Sequence, residues 1–269
     1  MITLAHAYIV AGLFFAAMSV LSIRDASNTR RIPTFLFWGM LAASFLAGGY
    51  VGDLGNGLLA LGLVAVATLG IGQGDPKTTS PEERRASALK RGDVLFLPAL
   101  IIPAVALGGT LIAKETEWGA LLIDPAQATL VSLILGALIA VLVLMVWLRP
   151  PVMAPFQEAR RLLDAVGWAA ILPQMLASLG AVFLVAGVGQ QVGRVFGDYM
   201  PLDTATIAVA AYCIGMALFT IVMGNAFAAF PVMTAAIGLP VVVQHFGGDP
   251  AIVCAIGMLA GFCGTLMTP

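Results

Sequence analysis

Long apolar runs alternate with short polar connections along this chain. Runs without Asp, Glu, Lys or Arg extend over about 2–23, 33–50, 56–72, 94–113, 127–148 and 167–189. Each approaches the roughly 20 apolar residues that cross a bilayer core as helix. A further tract, 204–269, is broken by Pro231, Pro240 and the Gly-Gly-Asp-Pro of 247–250. The pattern predicts an all-α polytopic membrane protein of about seven to eight spanning helices, with a broken or re-entrant segment in its C-terminal half. Residues 1–148 read as a five-helix scaffold half. Residues 149–269 read as a half with broken helices and the substrate site, both within one membrane domain.

Composition agrees. Of 269 residues, 60% are hydrophobic and 10% charged, and mean hydropathy is +1.00. Soluble domains carry about 25% charged residues, so a soluble enzyme, a nucleic-acid binder and a disordered regulator are excluded. The 3 cysteines lie in apolar runs without a CxxC pair, and 2 histidines far apart suggest no metal site. The first run lacks a basic leading region and reads as a retained helix rather than a signal peptide.

Charge sets the orientation. Arg24, Arg30 and Arg31 lie in the first connection, Lys77, Arg84, Arg85, Lys90 and Arg91 in the third, and Arg149, Arg160 and Arg161 in the fifth. That leaves Lys114 and Arg194 for the opposite side, which carries Asp53, Glu115, Glu117, Asp124, Asp198 and Asp203. The positive-inside rule puts the basic connections in the cytoplasm of a bacterial inner membrane and the amino terminus outside. In the third connection, Ser80 followed by Pro81-Glu82-Glu83 predicts a capped helix start. In the fifth, Phe156, Leu162, Leu163 and Val166 oppose Arg160 and Arg161 on an interfacial helix, whose charges are expected to be solvated.

Polar chemistry is sparse in the first five runs. Ser19, Ser44, Thr68, Thr110 and Ser132 can bond their own helix, glycines favour close packing, and Pro98 and Pro103 predict a kink. The sixth run places Gln174 and Ser178 on one face, next to Pro173. In the last tract Gly224 and Asn225 permit unwinding, and Pro231 deprives a carbonyl of its donor. A break at mid-membrane depth over 223–231, with Asn225 facing protein, is therefore expected. Gly257 and Gly261 form a small-xxx-small strip, and Thr265, Thr268 and Pro269 suggest another break. No Walker, HExxH or GxSxG motif and no intramembrane carboxylate pair occurs, so no enzyme is expected.

Several segments carry a resemblance: LSIRDASNTRRIPTFLFWGMLAASFLAG, ERRASALKRGDVLFLPALIIP, ILPQMLASLGAVF, GNAFAAFPVMTAAIG and GMLAGFCGTLMTP. The chain resembles, from end to end, a bacterial inner-membrane family of unknown function. Genes of that family lie near those of pyroglutamate (5-oxoproline) metabolism and of a companion multispanning family. The resemblance implies a permease component for 5-oxoproline or a related small carboxylate, and extends more distantly to ion-transporter-type carboxylate permeases. Members of the family continue beyond the segment that ends here at Pro269 with a polar stretch and a further helix.

Two functions compete. A secondary transporter subunit would bind its carboxylate near Gln174, Ser178, Asn225 and Thr234, with Thr265 and Thr268 contributing. No cofactor is expected beyond a coupling ion, sodium or proton, and the partners are the lipid bilayer, the substrate and the companion protein, with no nucleic acid. A non-transporting scaffold or assembly subunit would use the same groups as interhelical bonds. Convergence of Gln174 and Asn225 on one cavity would favour transport, and divergent neighbours would favour the scaffold.

Overall fold

A computed structural model describes residues 1–76, 78–199 and 203–268, without the side chains of Ala177, Phe196, Asp198 and Tyr199. The described residues are helical and form no strand, apart from a single bridge between Ile2 and Ile123. Seven helical stretches are long and apolar enough to cross a membrane, as the sequence pattern predicts. The chain divides into two compact units, Met1–Trp168 and Ala169–Pro269.

Unit 1 begins with α1 (Leu4–Arg24) and α2 (Arg31–Thr68). The latter is two helices, because Gly52 holds φ +66° and ψ −177° and folds the chain back. Asn56 Nδ2 donates to the Gly48 carbonyl at 2.8 Å across that turn. Gly62 has no room for a Cβ beside Met40, and the Arg30 guanidinium reaches the Leu69 carbonyl. Residues 31–51 and 53–68 are thus antiparallel legs of one hairpin, which reconciles one 38-residue stretch with two expected spans. Against the first leg, α1 packs Phe15 on Trp38, and Met18, Phe37 and Trp38 are fully buried. The Phe15 and Trp38 rings stack with centroids 5.7 Å apart.

After the hairpin come α3 (Pro81–Arg91), α4 (Leu97–Glu115), α5 (Glu117–Leu122), α6 (Ala128–Leu148) and α7 (Ala154–Val166). Ser80 caps α3 as expected, its hydroxyl accepting from Glu83 N–H at 3.1 Å while Ser80 N–H donates to the Glu83 carboxylate at 2.9 Å. Gly92, at φ +54°, separates this polar helix from the apolar α4. Pro98 falls in the first turn of α4, where a missing N–H costs least, and helix continues through Pro103. The pair α4–α6 approaches through Gly136, beside the Ile102 backbone, and Gly109, beside Ser132.

Unit 2 comprises α8 (Leu172–Val185), α9 (Val188–Tyr199), α10 (Ala205–Met223), α11 (Ala226–Met233), a π-helix (Thr234–His245) and α12 (Pro250–Thr265). Tyr212, Met216, Met233 and Ile237 are its fully enclosed large side chains. Gly257, Gly261 and Gly264 of α12 face Tyr212, Met216, Ala217 and Thr220, so α12 and α10 run parallel. Gly180 of α8 abuts Pro231, and Gly189 and Gly193 of α9 abut the 232–236 backbone. The α9 contacts advance in step with that segment, so α9 follows it in the same direction.

The break at Gly224-Asn225 is present but not at mid-depth. Helices of 19 and 20 residues flank it, each long enough to span, so it is a turn between two spans. The irregular backbone within a span is instead the π-helical Thr234–His245.

Candidate functional site

The expected site residues all fall in unit 2. Gln174 stands in the first turn of α8, which follows a 3-10 turn at Gly167–Ile171, and Pro173 occupies a first-turn position of the α-helix instead of freeing a mid-helix carbonyl. The Gln174 side chain is exposed and has no hydrogen-bond partner among the described residues. Ser178 Oγ donates to its own helix at the Gln174 carbonyl, 2.9 Å away. Asn225 is the N-cap of α11, its Oδ1 accepting from Phe227 N–H at 2.7 Å. Gln174 precedes Gly180, and Asn225 precedes Pro231, by the same interval. Gly180 lies against Pro231, so the two amides belong to one pair of packed helices, α8 and α11. No hydrogen bond joins them.

Thr234 is the buried member of the set. Its hydroxyl lies 3.1 Å from the Tyr212 hydroxyl where α11 passes into the π-helix. The Tyr212 ring fits between Gly238 and Gly257, and a Cβ on Gly257 would overlap the Tyr212 hydroxyl. The span Ala226–His245 is 56% buried, against 6–33% for the other six. A π-helix offsets successive carbonyls from the usual register and tends to mark functional positions. Thr265 Oγ1 donates to the Gly261 carbonyl at 3.2 Å and Thr268 Oγ1 to the Thr265 carbonyl at 2.7 Å, so both bond locally. Pro269 lies outside the described residues.

Sequence reasoning missed a polar centre in unit 1. Arg160, expected to be solvated, is only 4% exposed. Its guanidinium pairs with Asp25, and its Nε lies 3.6 Å from the Asp164 carboxylate. Asp164 also accepts from Gly74 N–H at 3.2 Å. Gln157, Arg160 and Asp164 share the inward face of α7, whereas Leu162 and Val166 are exposed. The amphipathic helix is there, but its polar face turns in.

The polar centre grips the glycine-rich segment Gly70-Ile71-Gly72-Gln73-Gly74. Asn28 Nδ2 donates to the Gly72 carbonyl at 3.0 Å, and Gly72 N–H donates to Thr34 Oγ1 at 3.1 Å. Ser27 Oγ accepts from Asp75 N–H at 2.9 Å and donates to Asp25 Oδ1 at 2.6 Å. Cβ atoms on Gly72 and Gly74 would overlap Asn28 and the Arg160–Asp25 pair, so the close approach requires glycine. Burial pushes the Asp25 carboxyl up, but hydrogen bonds from Ser27 and Arg160 outweigh it and hold the pKa at about 2. The readable signal was the spacing of Gln157, Arg160 and Asp164 on one helix face. Their partners Asp25 and Gly74 are 135 and 90 positions away. The described residues include no cluster of His, Cys, Asp or Glu able to hold a metal ion.

Among families, the one described as "Protein of unknown function (DUF979)" has a model that matches residues 5–269. Neither a curated protein nor a solved structure matches the chain.

Proposed function

We propose that this chain, which belongs to the family described as "Protein of unknown function (DUF979)", is a permease component for secondary transport of a small carboxylate. The resemblance noted in the sequence makes 5-oxoproline the first substrate to test and a companion multispanning protein the partner. Coupling would be to sodium or protons. The membrane would be a bacterial inner membrane, with the amino terminus outside.

The observation that carries this reading is the backbone of Ala226–His245. The most enclosed span is also the one with a π-helical stretch and a buried hydroxyl pair, Thr234 with Tyr212. Irregular backbone at membrane depth persists where protein or a cavity surrounds it, and broken or distorted helices supply ligand groups in many secondary transporters. Without a buried cation in these spans, a carboxylate would be held by neutral donors: the Gln174 amide, the Thr234 hydroxyl and the N–H groups at the start of α11 beside Asn225.

Uptake of labelled 5-oxoproline into cells expressing the chain, with and without the companion protein, tests the reading. Gln174→Ala is the informative variant, since an exposed, unpartnered amide can be removed at little structural cost. Losing a hydrogen bond to a charged ligand typically costs about 1.5–3 kcal/mol, roughly tenfold to more than a hundredfold in affinity. Uptake with normal apparent affinity in Gln174→Ala and Asn225→Ala would place the site elsewhere.

A scaffold or assembly subunit is the second reading. It is favoured by the interhelical bond between the Thr234 and Tyr212 hydroxyls, whereas Ser178, Asn225, Thr265 and Thr268 bond only within their own helix or cap. A panel of carboxylates giving no uptake with any companion, while the chain remains necessary for a membrane complex to assemble, would establish it.

A further inference from the structure

The cytoplasmic-type end of α6 carries a feature that transport chemistry does not use. A shallow groove runs along Leu142, Val143, Val146 and Trp147 and ends at Arg149. Ile139 continues its apolar stripe one turn further into the span. Leu142 and Val146 are 63% and 76% exposed, so these side chains face the surroundings rather than the core of unit 1.

Two guanidiniums border the mouth of the groove. Arg91, at the end of α3, lies over the Trp147 ring at 5.8 Å from its centroid and is steadied by its Nη1 donating to Ser87 Oγ at 2.7 Å. Arg149 caps α6 in the left-handed region, at φ +48° and ψ +49°, with its N–H bonded to the Met145 carbonyl at 3.1 Å. It is the sole non-glycine residue with positive φ among those described. Glycine or asparagine is the usual choice there, since a Cβ disfavours this conformation. An arginine at that position sets a fixed charge at the end of an apolar stripe. Among the described residues, no carboxylate lies within ion-pairing distance of Arg91 or Arg149.

We propose that this groove binds one anionic phospholipid, with an acyl chain along Ile139, Leu142, Val143 and Val146 and the phosphate between Arg149 and Arg91. Three features where the ends of α6 and α3 meet select that occupant. The stripe belongs to a span of mean hydropathy 2.9, so it meets acyl chains rather than water. Trp147 stands where tryptophan favours the headgroup region. Two unpaired guanidiniums match a phosphate with bidentate geometry, which a zwitterionic headgroup engages less well because its own cation competes. The site is independent of which substrate, if any, unit 2 carries.

The test is native mass spectrometry of the full chain released from mixed micelles that contain equal amounts of phosphatidylglycerol and phosphatidylcholine. The wild type should retain phosphatidylglycerol in roughly tenfold or greater preference, from two charge-assisted contacts. Arg149→Gln and Arg91→Gln should each remove most of that preference. Arg85→Gln, which removes an equal charge from the exposed part of α3, should leave it intact. Val146→Trp fills the groove at an exposed position, preserves every charge, and should reduce retention of phosphatidylglycerol even if an arginine variant fails to fold. Equal retention of the two lipids by the wild type overturns the proposal. So does an unchanged preference in Arg149→Gln, or unchanged retention of phosphatidylglycerol in Val146→Trp, and so does a loss in Arg85→Gln that matches the loss in Arg149→Gln.

Discussion

At Arg160 two carboxylates from distant parts of the chain share one guanidinium, and the glycine-rich segment 70–74 is threaded beneath them. Removing one partner of a buried pair leaves an uncompensated charge, which typically costs about 3–5 kcal/mol. Arg160→Gln should therefore lower the unfolding midpoint of the detergent-solubilised protein sharply, whereas the neighbouring Arg161→Gln should barely move it, since Arg161 pairs with Glu158 at the surface. Comparable midpoints for the two variants would mean that the buried pair contributes nothing. Asp25 adds a pH dependence. Its carboxyl titrates near 2 in the folded chain against an ordinary 3.8, so its contribution is complete above 3.8 and disappears as pH falls through about 2. Asp25→Asn should flatten the acid limb of stability over that window, as unfolding followed at successive pH values would reveal. Only the shared helix face of Gln157, Arg160 and Asp164 was legible in the residues alone. An Arg-Arg pair on an amphipathic helix reads as solvated, and the inward turn of its polar face depends on groups that only the tertiary fold brings near.

Helix boundaries were far more legible than helix depth. The Ser80 cap, the separation of α3 from α4 and the break at Gly224-Asn225 all follow from residues whose backbone preferences are local. The depth of that break does not, because 204–269 is one apolar tract with no charge to mark where each crossing ends, save the Asp249 that caps α12. Nor does hydropathy reveal the π-helical register, within which Thr234 and Gly238 pack on Tyr212. The tyrosine fits because Gly257 lacks a Cβ. Gly257→Ala should therefore destabilise unit 2 by about 1–3 kcal/mol, the usual cost of overpacking. Tyr212→Phe in the same chain should recover part of the loss by removing the overlapping hydroxyl, although the ring remains close. A double variant no more stable than Gly257→Ala, measured by thermal unfolding, would show that the hydroxyl is not the obstacle.

Within unit 1 the two ends of the bundle are chemically distinct, and this bears on how the chain sits in a membrane. Ile2 N–H donates to the Leu122 carbonyl at 2.6 Å and Asp124 N–H to the Ile2 carbonyl at 3.1 Å, so the amino terminus joins the connection carrying Glu115, Glu117 and Asp124. At the other end Asp25, Asn28, Gly72, Gly74 and Arg160 meet, and Arg84 pairs with Glu158 at 3.0 Å. These contacts join the amino terminus to the 115–124 connection, and the first, third and fifth connections to one another, with Lys77 outside the described residues and the Asp198 side chain likewise. We propose that the end holding Arg160 faces the cytoplasm, because 11 of the 13 basic residues lie in the first, third and fifth connections of the sequence. Labelling can decide it. In a chain whose Cys213, Cys254 and Cys263 are replaced by alanine, a single cysteine at Glu115 should react with a membrane-impermeant maleimide added to intact cells. One at Arg85, exposed on α3, should react only after the membrane is opened. The reverse pattern would invert the orientation while leaving the fold untouched. It would also move the groove at Arg149 to the outer leaflet, where the lipid it meets would be a different population.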